Sequence, residues 1–210
     1  GRALRWLMAQ QREDGTWNSA SPELVEGFVK PSPRNTSLAL LALAGVPAEL
    51  RAPHAAGIQK GLAALEKFTS PEGWVGDPVE VVRWQNYTTA FSVQAGLALG
   101  GEARKPLVAR WVAYLEGAQL LEARGVTEFD WYHGSWNYYD EFRRSNVRGD
   151  TSTTSAVLDA LVAAGRMPDA PAVAHARAFL ARCQNYQPRP DLVVPLDDGG
   201  FFFNPRSSKS

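Results

Sequence analysis

Asp159 is the residue of this 210-residue chain whose surroundings best suit acid chemistry. It is the one charged residue between Thr151 and Gly165, where Ala, Val, Leu, Ser and Thr fill the other positions. Burial in such a run would favour the protonated carboxyl group and let Asp159 donate a proton. In a helix, Ser152 and Ser155 share its face because spacings of three and four bring side chains to one side. The alternative is a structural Asp159 that binds a hydroxyl group or a backbone donor.

A second run, which has no charged residue, offers a matching helical face. Residues 86–100 hold side chains at similar spacings, namely Tyr87, Ala90 and Gln94. Aligning these two runs and a third, residues 35–45, on their closing glycines brings Gln94 and Asp159 to one level with Ala39. We therefore expect the face that carries Gln94 and Asp159 to line a cavity.

Aromatic and arginine side chains are frequent in the segments next to these runs. The candidate ligand-binding residues are Trp84, Tyr87, Gln94, Trp131, His133, Tyr138, Tyr139 and Arg148. Aromatic rings beside arginines at helix amino ends suit a ligand with an apolar body and an anionic head, such as a prenyl diphosphate. The alternative is that the rings are packing residues and that the arginines are solvated or pair with Asp140, Glu141 and Asp150.

Composition argues against several classes of protein. The 22 Lys and Arg residues balance the 22 Asp and Glu residues, so nucleic-acid and polybasic membrane binders are not expected. Cys183 is the single cysteine, which excludes an intrachain disulfide and a Cys-based zinc cluster. The three histidines lack ligand spacing, so we expect no metal and no cofactor. No apolar run approaches the ~20 residues of a transmembrane helix, and the compartment is left open.

Two kinds of helix alternate along the chain. Amphipathic helices, with charges on one side only, are predicted at 2–12, 56–69, 104–122 and 170–184. The runs with almost no charge predict helices at 35–45, 87–100 and 150–165, each with polar residues that suit an N-cap and a closing glycine. A helix without a charged face is buried on most sides. The pattern therefore predicts an all-α fold with amphipathic helices outside and uncharged helices inside.

A glycine followed by an aromatic residue recurs between the two kinds of helix. The four copies are Gly15-Thr16-Trp17, Gly73-Trp74, Gly134-Ser135-Trp136 and Gly200-Phe201. The segment from Gln10 to Trp17 resembles the QW motif of squalene-hopene cyclases, in which a Gln and a Trp tie adjacent repeats together. Gln119 and Gln184 precede the third and fourth copies, whereas the second copy lacks the Gln. The chain thus resembles the terpene cyclase and protein prenyltransferase repeat family. We expect Trp17, Trp74 and Trp136 each to be largely buried against the end of a neighbouring helix.

This resemblance implies an α/α toroid, which consists of two concentric layers of helices. Within a single domain, repeats are expected at roughly 1–46, 47–101, 102–166 and 167–210, the last one incomplete. Toroids of that family close with about six repeats, and such arrays need capped ends. We therefore expect the chain to be part of a longer protein. The alternative is a short solenoid that self-associates through its open end.

The resemblance also implies binding of an apolar or isoprenoid ligand, and carbocation chemistry of a cyclase, lyase or isomerase if the chain is an enzyme. The Asp-x-Asp-Asp acid motif of the family's cyclases does not occur in this sequence, so the acid would be Asp159 or lie elsewhere. One alternative is a noncatalytic scaffold that binds a protein or glycan through its aromatic residues. Another is a glycan hydrolase or lyase using Glu128 with Asp130, or Asp140 with Glu141.

Overall fold

The computed structural model describes residues 1–18, 30–77, 84–138, 148–185 and 199–205. Helices dominate these residues, which confirms the predicted all-α class. The helices are α1 (Arg2–Ala9), α2 (Pro33–Ala44), α3 (Ala48–Arg51), α4 (Ala55–Lys67), α5 (Gln85–Leu99), α6 (Lys105–Gly117), α7 (Thr151–Ala163) and α8 (Pro171–Cys183). Two short strands, β1 (Trp17–Asn18) and β2 (Pro31–Ser32), pair antiparallel. None of the described helices is long and apolar enough to cross a membrane.

The helices with few charges, α2, α5 and α7, pack side by side. α5 lies between the other two, and each of the three also supports one amphipathic helix. α4 packs against α2, α6 against α5, and α8 against α7. Leu40, Trp111 and Leu161 are fully buried in the shared core. The absence of charged side chains from α5 is explained by its neighbours, which contact it on three sides.

Hydroxyl and carboxylate side chains begin two of these helices. α2 begins at Pro33 rather than at the predicted Asn35, because Ser32 Oγ accepts the Asn35 N–H at 3.2 Å and proline suits a first helical position. Asp150 caps α7 as predicted, and its Oδ1 accepts the Thr153 N–H at 2.8 Å.

Each of α1, α4, α6 and α8 is followed by a backbone hydrogen bond to the residue directly after a glycine. In each case a backbone N–H after the helix donates to a backbone carbonyl further along the chain. The pairs are Arg12 to Thr16 (2.9 Å), Ser70 to Trp74 (2.8 Å), Leu120 to Ser135 (2.9 Å) and Asn185 to Gly200 (2.8 Å). The glycines have positive φ, at 87° (Gly15), 99° (Gly73), 85° (Gly134) and 73° (Gly199). Such a φ favours glycine, and at Gly134 a Cβ would also overlap the backbone of His175 in α8. We call these four turns the glycine hairpins.

The residue two positions after each hairpin glycine is the anchor residue. Trp17 is the first anchor, and its backbone N–H donates to Thr36 Oγ1 of α2 at 3.1 Å. Its indole N–H donates to the Leu7 carbonyl at 2.9 Å. Trp136 repeats both bonds, to Thr154 Oγ1 at 3.1 Å and to the Leu115 carbonyl at 2.6 Å. The predicted burial of Trp17 and Trp136 is confirmed, with 5% and 0% of their surfaces exposed.

The second hairpin differs from the prediction by one residue. Val75, not Trp74, occupies the anchor position, is fully buried and donates its N–H to Thr89 Oγ1 at 2.9 Å. Trp74 is only half-buried, so its predicted burial as an anchor was wrong. The reason is the hairpin geometry, which requires one residue between Gly73 and the anchor. In the fourth hairpin the anchor is Phe201, whose surface is 55% exposed.

Two glutamine side chains, Gln11 and Gln119, each connect a glycine hairpin to the following amphipathic helix, and we call them the glutamine clips. Gln11 Nε2 donates to the carbonyls of Gly15 (2.9 Å) and Gly57 (2.8 Å), the latter in α4. Gln119 Nε2 donates in the same way to Gly134 (2.9 Å) and to Ala172 of α8 (2.9 Å). α1 and α6 end at Ala9 and Gly117, before the predicted 12 and 122, and each glutamine lies two residues beyond its helix.

Candidate ligand-binding face

The low-charge helices α2, α5 and α7 share a surface that none of the described amphipathic helices covers. Gly96 of α5 faces Val108 and Trp111 of α6, whereas Gln94, about 200° around the helix, points the opposite way. Side chains on the uncovered side are half-buried or exposed, and we call them the open face. They are Leu38 and Leu41 of α2, Tyr87, Phe91 and Gln94 of α5, and Ser152, Ser155 and Asp159 of α7.

The open face differs from the predicted stripe on α5. Ala90 is fully buried, and Phe91 takes the expected place between Tyr87 and Gln94. Ala39 is likewise buried. One buried threonine in each of α2, α5 and α7 accepts an anchor N–H, and these threonines give a second way to align the helices. The residues five positions after them are Leu41, Gln94 and Asp159, which therefore lie at one level. Phe91 could have been found from its spacing of four from Tyr87, which keeps two side chains on one helix face.

An aromatic cluster lies at the amino ends of these helices. The Trp84 and Tyr138 rings meet edge to face at 4.6 Å, and Tyr87 and Phe91 do the same at 4.6 Å. Tyr87 and Tyr138 are 6.3 Å apart, so the four rings form a continuous group. Three of the predicted ligand-binding residues, Trp84, Tyr87 and Tyr138, are therefore brought together.

Arg34 adds a positive charge to the aromatic cluster. Its guanidinium carbon lies 5.0 Å from the centre of the Trp84 ring, a cation–π distance. No carboxylate within the described part of the chain pairs with Arg34 or with the exposed Arg148 just before α7. An anionic group that approaches this cluster therefore meets Arg34 without a competing carboxylate from those residues.

Asp159 is exposed on the open face, whereas the prediction placed it in a cavity beside a hydroxyl group. Its carboxylate makes no hydrogen bond or ion pair to another described residue. The Ser152 hydroxyl donates instead to Asp150 at 2.7 Å. Gln94 lies on the side of α5 that faces α7, where its amide reaches the Ala156 carbonyl at 3.4 Å. Asp159 is exposed because α5, α6 and α8 leave one side of α7 uncovered in the described part of the chain.

The buried carboxylate of this region is Asp150. Only 1% of its surface is exposed, and this burial raises the pKa of its carboxyl group above the ordinary value of 3.8. Thr153 donates to it from both its N–H (2.8 Å) and its hydroxyl (3.0 Å). These bonds satisfy Asp150 within α7 and assign it a structural role as the helix cap.

His133 lies apart from the aromatic cluster, on the side of the amphipathic helices. Its Nε2 is 2.9 Å from Glu122 Oε1, and its ring meets that of His175 in α8 at 5.4 Å. Trp131, in the same loop, is 45% exposed. Tyr139, Asp140 and Glu141 lie outside the described residues. Within the described part, no group of three or more His, Cys, Asp or Glu side chains could hold a metal ion.

Comparisons with known proteins add no assignment to this geometry. A scan against protein-family models and a search of the curated proteins both found no match to the chain.

Proposed function

We propose that this chain is part of an α/α toroid of the terpene cyclase type and that its open face binds an isoprenoid ligand. The glycine hairpins support the repeat interpretation, since the same backbone bonds occur after four different helices. In a toroid, the amphipathic helices would form the outer layer. The open face of α2, α5 and α7 would then line the central cavity.

The aromatic cluster with Arg34 is the observation that carries the ligand assignment. Tyr87 and Phe91 give an isoprenoid chain aromatic surface, and Leu38 and Leu41 of α2 extend that surface with aliphatic groups. Alkene chains and carbocations both favour such rings, the cations through the negative ring faces. Arg34 would receive an anionic head, so a prenyl diphosphate fits both ends of the site.

Asp159 is the proposed acid if the chain catalyses a reaction. It occupies the open face at the level of Gln94 and Leu41, where the ligand chain would pass. Its carboxylate is exposed in this chain, so acid catalysis requires further repeats that enclose the cavity and exclude water. In such a complete protein, Asp159→Asn reduces turnover if the residue is the acid and leaves turnover unchanged if it is not.

Calorimetric titration of farnesyl diphosphate into the 210-residue chain tests the binding proposal. We expect saturable binding that falls by at least about tenfold in Tyr87→Ala/Phe91→Ala, with Leu50→Ala, an exposed apolar residue of α3, as the matched control. Arg34→Gln should weaken farnesyl diphosphate but leave farnesol unaffected, with exposed Arg177→Gln as its control. Failure of both farnesyl diphosphate and farnesol to bind the wild-type chain would contradict the proposal.

A scaffold that binds a glycan is the second candidate. One observation favours it: Ser152, Ser155 and Asp159 form an exposed polar strip beside Tyr138, whose hydroxyl lies 3.4 Å from Ser152 Oγ. Sugar rings combine apolar faces with hydroxyl groups, which such a strip can recognise. A glycan that binds the wild-type chain and loses affinity in Ser155→Ala, while farnesol does not bind, would favour this candidate.

A further inference from the structure

A cleft of about 330 Å³ lies at the carboxyl ends of α5 and α7, away from the aromatic cluster. One wall is the stripe of α6 that contains Val108 and Val112, and the opposite wall comes from Leu97 and Ala164. These two facing walls are apolar, and charged side chains lie only at the edge of the cleft. It shares no residue with the open face and does not depend on the function proposed for that face.

The charged side chains at the edge of the cleft are already paired. Arg166 contacts Glu116 of α6 through two bonds, Nε to Oε1 at 2.6 Å and a terminal nitrogen to Oε2 at 3.2 Å. Lys105 Nζ lies 2.8 Å from Glu102 Oε2. A charged ligand that enters between the apolar walls would leave its charge without a partner there or compete for the half-buried Arg166–Glu116 pair, and both are costly. The exposed Lys105–Glu102 pair, in contrast, opens at little cost. A neutral ligand disturbs neither pair.

The volume limits the size of the ligand. An apolar cavity of about 150 Å³ holds one benzene molecule, and ligand pockets in proteins begin at about 300 Å³. We propose that this cleft is a binding site for a neutral, compact apolar molecule of about ten carbon atoms. A single hydroxyl group of that molecule can lie at the charged edge, where the carboxylates accept hydrogen bonds.

Three adamantane derivatives of the same size test the charge preference of the site. Ligand-detected NMR with the wild-type chain at pH 7 compares 1-adamantanol with 1-adamantanecarboxylate and 1-adamantanamine, which share one hydrocarbon body. We expect the alcohol to bind and both charged derivatives to bind at least about tenfold more weakly. Equal binding of a charged derivative, or no binding of the alcohol, would overturn the proposal.

Ala109→Phe tests the location of the site. Ala109 is exposed on α6 and lines the cleft, so a phenyl ring there occupies the space of the ligand without entering the core. The control is Ala178→Phe, which changes an exposed alanine of α8 in the same way. We expect loss of 1-adamantanol binding in Ala109→Phe alone, with both variants shown to be folded by circular dichroism. Unchanged binding in folded Ala109→Phe overturns the assignment, and the wild-type comparison decides the ligand class independently of either variant.

Discussion

α2, α5 and α7 carry the same residue where they meet the glycine hairpins and different residues on the open face. Thr36, Thr89 and Thr154 are all fully buried, and each accepts an anchor N–H. Five positions later the three helices present an aliphatic side chain, an amide and a carboxylate, namely Leu41, Gln94 and Asp159. The anchor contacts need a small acceptor at every junction, so packing determines the residue. Packing makes no such demand of the open face, which leaves its chemistry free to serve a ligand.

We call the region where the helices meet the glycine hairpins the packing side. Removal of an anchor tryptophan is the largest disruption expected there. Trp17→Ala or Trp136→Ala should lower the free energy of unfolding by roughly 3–5 kcal/mol, because a buried ring and an indole hydrogen bond are both lost. Trp74→Ala is the matched control, since Trp74 is only half-buried and lies beside the anchor Val75. Urea denaturation measures all three. A loss below about 1 kcal/mol in Trp136→Ala would mean that the anchors do not hold the hairpins.

Loss of a glutamine clip should cost less than loss of an anchor. Gln119→Ala leaves the carbonyls of Gly134 and Ala172 without their donor, so we expect a decrease in unfolding free energy of about 1–3 kcal/mol. Gln11→Ala removes the equivalent bonds from a half-buried position and should have a smaller effect. Gln94→Ala on the open face is the control and should be nearly neutral by the same urea measurement. An effect of Gln94→Ala as large as that of Gln119→Ala would remove the distinction between the two regions.

Asp150 allows a pH test of the packing side. Burial raises the pKa of its carboxyl group in the folded chain, so the folded state holds this proton more tightly than the unfolded state. The stability from this group is therefore fully present below the unfolded pKa near 3.8 and is lost as pH rises through the higher folded pKa. Asp150→Asn keeps a cap acceptor and does not titrate. The wild-type minus variant difference in unfolding free energy should fall with rising pH across that range, and a rising difference would contradict the assignment.

Substitutions at the polar end of the open face should have the smallest effect on stability. Asp159→Asn and Ser155→Ala change exposed side chains, so each should alter the free energy of unfolding by less than about 0.5 kcal/mol. Thermal and urea unfolding at pH 7 check this expectation. A loss above about 1.5 kcal/mol in Asp159→Asn would show that its carboxylate is needed for packing.

The helices and two of the anchors could be predicted from the sequence, because they depend on local signals. Runs of small residues predicted α5 and α7 to within two residues at each end. The second anchor was missed because Trp74 directly follows its glycine, whereas Gly15 and Trp17 show that one residue must intervene. A closer comparison of those spacings would have identified Val75.

The open face was harder to predict, since it depends on how many neighbours each helix has. The near absence of charged residues from α7 indicates burial, but it does not reveal that one side stays uncovered by the described helices. Asp159 was therefore expected inside. The pairing of Trp84 with Tyr138 and of Arg34 with Trp84 joins segments far apart in sequence. Only the packing of α2, α5 and α7 brings these segments together.

Photoaffinity labelling tests most directly the claim that the open face, and not the packing side, receives an isoprenoid ligand. The wild-type chain is irradiated with a prenyl diphosphate that carries a benzophenone group at the end of its chain, and the labelled peptides are mapped by mass spectrometry. The account predicts labels within 38–42 and 87–94, which excess farnesyl diphosphate suppresses. Labels confined to α4, α6 or α8, or labels that farnesyl diphosphate does not suppress, would contradict it.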